Sequence, residues 1–234
     1  MRFATPLVRG RLVQRYKRFL ADVILDDGRA VTAHCANPGA MLGLKDPGVT
    51  VWLEHVPDPR RALAWSWRLV ELPDGHLAGI DTSLPNRIVA EALAEDRIPG
   101  LTGYQRIRPE VRYATKSRVD FLLSAEGRPD AYVEVKNVHL RRTGRLAEFP
   151  DSVTARGARH LADLAAMVAE GHRAVMLYVV QRTDCDRFAV SGDLDPAYAA
   201  AYAAARAQGV EVLVHTTRID RLGITLDQPL PALA

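Results

Sequence analysis

Over residues 1–80, apolar and polar positions alternate in short runs broken by turn residues. Residues 8–19 alternate loosely, with basic side chains between apolar ones. Residues 21–25 and 30–33 flank Asp26-Asp27-Gly28, a hairpin signal. Asn37-Pro38-Gly39 marks a loop, residues 49–55 alternate again, and residues 64–71 form a further strand carrying Trp65 and Trp67. Several short strands in so short a segment predict a small, strongly curved sheet or barrel.

From Leu84 the period lengthens. Asn86 stands where a cap would open a helix over 87–95, with Ile88, Glu91, Ala92 and Glu95 at helical spacing and Pro99-Gly100 beyond its end. Strands are predicted at 106–113, 118–124 and 131–138, followed by a loop over 141–150. Asp151 or Ser152 is expected to cap a long helix reaching about Glu170. Residues 174–181 are almost wholly apolar, as in the centre of a buried sheet. A helix over 196–208 and a strand over 210–216 complete the pattern. The order αβββαβ, then αβ, predicts a sheet with helices on both faces. The fold class is therefore α/β (α+β), in two domains: 1–80, a small barrel, and 81–234, the larger sheet.

Composition narrows the classes. The 234 residues are 48% hydrophobic and 25% charged, which suits a globular chain and excludes wholesale disorder. The longest apolar run, 174–180, falls far short of the ~20 residues of a membrane helix. No apolar leader follows Arg2, so the expected location is cytoplasmic, with no membrane partner. Cys35 and Cys185 lie far apart and match no metal or disulfide pattern. Net charge is only +3, but the first twenty residues hold six basic side chains and no acid. Arg141, Arg142 and Arg145 form a second cluster. Both clusters read equally as solvated surface or as phosphate contacts.

Basic residues are lopsided in kind: of 31 Lys and Arg, the lysines are Lys17, Lys45, Lys116 and Lys136 alone. A lysine in such a chain raises the question of whether its chemistry, rather than its charge, is needed. Lys136 lies in Val133-Glu134-Val135-Lys136, where alternation puts Glu134 and Lys136 on one face. In the preceding strand Asp120 faces away from Val119, Phe121 and Leu123. A hairpin across 126–130 would set Asp120 beside Glu134. Two carboxylates and a backbone carbonyl suit a hard divalent cation, Mg²⁺ or Mn²⁺. The lysine can then stabilise charge developing on a phosphate. An ordinary cross-face ion pair would also account for E-x-K by itself. Asp120 and the αβββαβ context bring the metal-dependent reading level with that one, with Glu91 on the leading helix able to add a ligand.

The arrangement resembles the PD-(D/E)XK nuclease superfamily, with Asp120 as the motif Asp and Glu134-Val135-Lys136 as E-x-K. Over nearly all its length the chain resembles the sugar fermentation stimulation protein (SfsA) family. That resemblance is carried by 34–41 (HCANPGAM), Pro85-Asn86-Arg87, Ser117-Arg118-Val119-Asp120-Phe121, 133–138 (VEVKNV) and 149–157 (FPDSVTARG). It implies an N-terminal OB-fold-like barrel, a C-terminal nuclease-like domain, DNA binding without sequence preference and a role in regulating sugar (maltose) utilisation genes.

Candidate contacts to DNA are Arg11, Arg15 and Arg18 on the barrel, Arg118 beside the motif, and Arg156 and His160, which share a helix face at i, i+4. RNA stays open as the alternative polymer, and a homodimer as an assembly. Glu110 is a weaker addition to the carboxylates. Trp65 and Trp67 read as core before they read as a base-stacking platform. Two functions follow: a Mg²⁺-dependent nuclease that binds DNA, or a non-catalytic DNA-binding regulator with a vestigial site.

Overall fold

Strand β1 (Leu7–Tyr16) is long enough to pair along both of its edges, and this closes the first domain. It runs antiparallel to β2 (Leu20–Leu25) on one side and to β4 (Thr50–His55) on the other. Between them β3 (Ala30–His34) pairs with β2, and β5 (Trp65–Glu71) pairs with β4. A parallel contact, Ala33 opposite Trp65, joins β3 to β5 and closes a five-stranded barrel with the OB-fold strand order. Gly10 sits where β1 presses on β2: a Cβ there would lie 2.6 Å from Val23 Cγ1. The interior holds Leu12, Val23, Leu25, Leu53 and Trp67, all buried. Trp67 thus packs as core, as expected. A short β6 (Leu77–Gly79), not predicted, extends β5.

This computed structural model describes residues 1–113 and 117–233. The second sheet runs in the order β14-β13-β11-β9-β8-β7. Its strands are β7 (Arg106–Arg112), β8 (Arg118–Ala125), β9 (Arg128–Val138), β11 (Arg173–Val180), β13 (Glu211–Ile219) and β14 (Ile224–Pro229). β7, β8 and β9 are antiparallel; β9, β11 and β13 are parallel. Odd-numbered positions such as Phe121, Val133, Val135, Val175 and Leu177 pack under helix α1 (Pro85–Ala94), together with Leu69 and Trp52 of the barrel. The opposite face, with Met176, Tyr178 and Val180, lies under α2 (Ala155–Ala169) and α3 (Pro196–Ala207).

Three expectations are corrected. Asn86 does not cap α1: the cap position is Leu84, Pro85 opens the helix, and Asn86 lies inside it with its side chain turned elsewhere. α2 is capped by Thr154, whose hydroxyl accepts from Gly157 N, and not by Asp151 or Ser152. The predicted loop over 141–150 contains β10 (Leu146–Phe149), which pairs in parallel with β12 (Arg187–Val190) as a separate small sheet. No helix among the described residues is long and apolar enough to cross a membrane.

Candidate functional site

The β8–β9 ladder stops at Phe121 opposite Val133, and the two strands diverge beyond it. In the fork the Asp120 carboxylate replaces the missing strand: its Oδ2 accepts from Val135 N at 2.7 Å. Its Oδ1 accepts from Asn86 Nδ2, also at 2.7 Å, across from α1. Alternation along β9 then presents Glu134 and Lys136 on the face beneath α2. Lys136 Nζ donates to Glu134 Oε1 at 2.6 Å. Asp120 is thus held on the backbone between Glu134 and Lys136, near enough to feel the charge of both.

α2 supplies a partner that was expected elsewhere. His160 is 3% exposed, and its Nδ1 donates to Glu134 Oε1. Arg156 Nε donates to His160 Nε2 at 3.2 Å, which sets the tautomer with the proton on Nδ1. His160 is thus a buried support for Glu134 and not a contact to DNA, while the exposed Arg156 holds it from outside. The helical i, i+4 spacing was legible; the sheet beneath it was not.

The two carboxylates are tuned in opposite directions. Burial, and then the charge of Glu134, raise the Asp120 pKa against the hydrogen bonds from Val135 and Asn86. Burial also works against an ionised Glu134, but the hydrogen bonds from His160 and Lys136 and the ammonium charge outweigh it and lower its pKa. Glu134 Oε2 is buried and has no hydrogen-bond partner. A buried carboxylate oxygen without a donor is costly, and a hard cation would satisfy it. Tyr113 Oη is a second buried atom without a partner. Burial raises its pKa, reinforced by the nearby charges of Glu134, Asp163 and Asp120. Tyr113 carries no sequence signal: a lone tyrosine closing the predicted strand 106–113 has no motif around it.

Glu91 does not join this group. α1 turns Ile88, Val89 and Ala92 to the sheet, leaving Glu91 half exposed and 2.5 Å from the Met1 ammonium. Glu110 is exposed, in the left-handed region at φ 54°. Among the described residues no third His, Cys, Asp or Glu completes a metal-binding cluster with Asp120 and Glu134.

The barrel arginines have separate fates. Arg11 is exposed, with Nη1 on Gly48 O. Arg15 braces the loop after β3 through the carbonyls of Asn37 and Gly39. Arg15, the exposed Arg18 and Lys45 line a cleft of about 800 Å³ between barrel and sheet. Asn137, His139 and Asp151 line its other wall. Gln181 Nε2 donates to Asn137 Oδ1, and Asn137 Nδ2 lies 2.8 Å from His139 Nδ1. His139 Nε2 lies 3.3 Å from Asp151 Oδ2, which also accepts from Met41 N of the barrel. This chain crosses from one domain to the other. Asp151, expected as a helix cap, is instead part of it. The cluster Arg141, Arg142 and Arg145 is neutralised locally, by Asp184, by Glu148 and Asp193, and by Asp186.

Comparison with known proteins gives one answer. The family model "Sugar fermentation stimulation protein RE domain" matches residues 83–223, and "SfsA N-terminal OB domain" matches residues 13–80. Among curated proteins, a "Sugar fermentation stimulation protein homolog" of Jannaschia sp. is 63% identical over 232 residues, 99% of this chain and 96% of its own. A homolog of Ruegeria pomeroyi is 61% identical, covering 97% and 98%. Among solved structures, "The structure of Pyrococcus Furiosus SfsA in complex with Ca2+" superposes with a TM-score of 0.89 at 25% identity, over 100% of this chain and 98% of that one.

Proposed function

This chain belongs to the sugar fermentation stimulation protein (SfsA) family, and from that premise we propose that it binds DNA without sequence preference and carries a divalent-metal phosphodiesterase site at Asp120, Glu134 and Lys136. The observation that carries the reading is the buried, unpartnered Oε2 of Glu134 beside a second carboxylate. The two carboxylates suit Mg²⁺ or Mn²⁺: they are hard oxygen ligands, and such ions keep several waters of their own. The archaeal relative described with Ca²⁺ agrees with a site for hard cations. Asp120 and Glu134 would hold the ion, which when bound supplies Lewis acidity and offsets phosphate charge.

The protein's own groups do the rest. Val135 N and Asn86 fix Asp120; His160 and Lys136 fix Glu134. Lys136, whose Nζ lies 2.6 Å from Glu134 Oε1, would stabilise the charge that grows on a phosphoryl oxygen in the transition state. Arg18 and Arg118, both exposed, supply phosphate contacts. We place the protein in the cytoplasm, a reducing compartment that suits two buried free thiols.

The absence, among the described residues, of a third metal-ligating side chain favours a second reading: DNA binding without turnover, in a regulatory role at sugar-utilisation genes. Plasmid incubated with Mg²⁺ or Mn²⁺, with EDTA as control, separates the two. Nicking by wild type, lost in Lys136→Ala while DNA binding stays within about twofold, is the expected result. Equal nicking by both proteins removes the trio from the mechanism, and no nicking at all selects the regulator.

A further inference from the structure

We infer that the open edge of the second sheet is a track for one phosphate backbone of a nucleic acid, carried by Arg106, Arg108, Arg112 and Arg118. The inference rests on the nucleic-acid binding proposed above and assigns it a surface. β7 is an edge strand. Its register with β8 sets Arg106 opposite Ser124, Arg108 opposite Leu122 and Arg112 opposite Arg118. Opposed residues of antiparallel strands share a face. All four arginines therefore stand on the face of Asp120, which is also the face of Glu134 and Lys136.

All four are exposed. Among the described residues, none of their guanidinium groups has a carboxylate within 4.0 Å. The basic cluster 141–145 is the contrast, since each of its arginines is held by an acid. Arg112 directly opposite Arg118 is a like-charge pair, which repels unless an anion lies between. Charged side chains also guard sheet edges against pairing, but guarding requires neither one sign nor one face. The acid in the strand, Glu110, is exposed at φ 54° and, among the described residues, pairs with none of the four arginines. Alternate strand residues are ~6.8 Å apart, so the stripe from Arg106 to Arg112 extends ~20 Å toward the carboxylates.

The test is binding of a fluorescein-labelled oligonucleotide, as single strand and as duplex, followed by anisotropy in EDTA at several salt concentrations. The proteins are wild type, Arg106→Gln/Arg108→Gln, Arg106→Lys/Arg108→Lys, and Arg60→Gln as a control at an exposed arginine paired with Asp58. Each lost phosphate contact removes about 0.7–0.9 from the slope of log K against log salt. The double Gln variant is expected to lose about 1.4–1.8 from the slope and at least tenfold in affinity, while the Lys variant and Arg60→Gln keep the wild-type slope. A double Gln variant that binds like Arg60→Gln overturns the track. So does equal loss in the Lys variant, which marks a folding defect. If wild type binds neither oligonucleotide, the proposed function itself fails and takes this inference with it.

Discussion

At the scale of residues, the catalytic proposal depends on how Glu134 is held. His160 gives it a hydrogen bond from a buried ring, so His160→Ala should destabilise the fold by about 1–3 kcal/mol in urea unfolding, the usual cost of stranding a buried polar group. The same variant should weaken Mn²⁺ binding by about 10–100-fold, as loss of a ligand's outer support does. His160→Gln, which can still donate, should recover part of both. Asp120 and Glu134 could be read together from sequence because strand alternation has a period of two and leaves only one face to choose. Glu91 could not. A helix face is chosen by what it packs on, and Ile88, Val89 and Ala92 fit the sheet, turning Glu91 to Met1. Asn86 departs from its expected place for the same reason: its type suits a cap, but the fork in the strands puts Asp120 within its reach.

At the scale of elements, the segment joining β10 to α2 adds a polar tie between the two domains through Asp151. Its carboxyl is lowered to about 2: burial opposes this, and the hydrogen bond and charge of His139, with Met41 N, outweigh the burial. A depressed carboxyl contributes stability above its unfolded pKa of ~3.8, and that stability is lost as pH falls toward 2. The contribution is at most about 2 kcal/mol. Asp151→Asn should therefore be less stable than wild type by up to that amount at pH 7, and the difference should shrink below about pH 4 and close as pH falls through about 2 in urea titrations. Thr154→Ala should cost about 1 kcal/mol through the lost α2 cap, at either pH. The elements that escaped sequence reading were β6, β10, β12 and β14. The first three have three or four residues each, too few to show a period. β14 ends in Asp-Gln-Pro, a pattern that reads as a loop until β13 offers it an edge.

At the scale of the molecule, the barrel and the sheet share a cleft and a hydrogen-bonded chain, and the carboxylates lie on the helix-covered face of the sheet. The αβββαβ order and the barrel were both visible in the spacing of apolar residues. The inter-domain chain was not, because it joins residues as distant as Met41 and Asp151 through single side chains. The central claim is that Asp120 and Glu134 seat a divalent cation. Acid should oppose binding, since Asp120 takes up a proton more readily than an ordinary aspartate. The most direct test is calorimetric titration of Mn²⁺ into wild type and into Asp120→Asn at neutral pH. One saturable site in wild type, weakened at least tenfold by the substitution, is the predicted result. Equal binding by the two proteins, or no binding by wild type, would contradict the account.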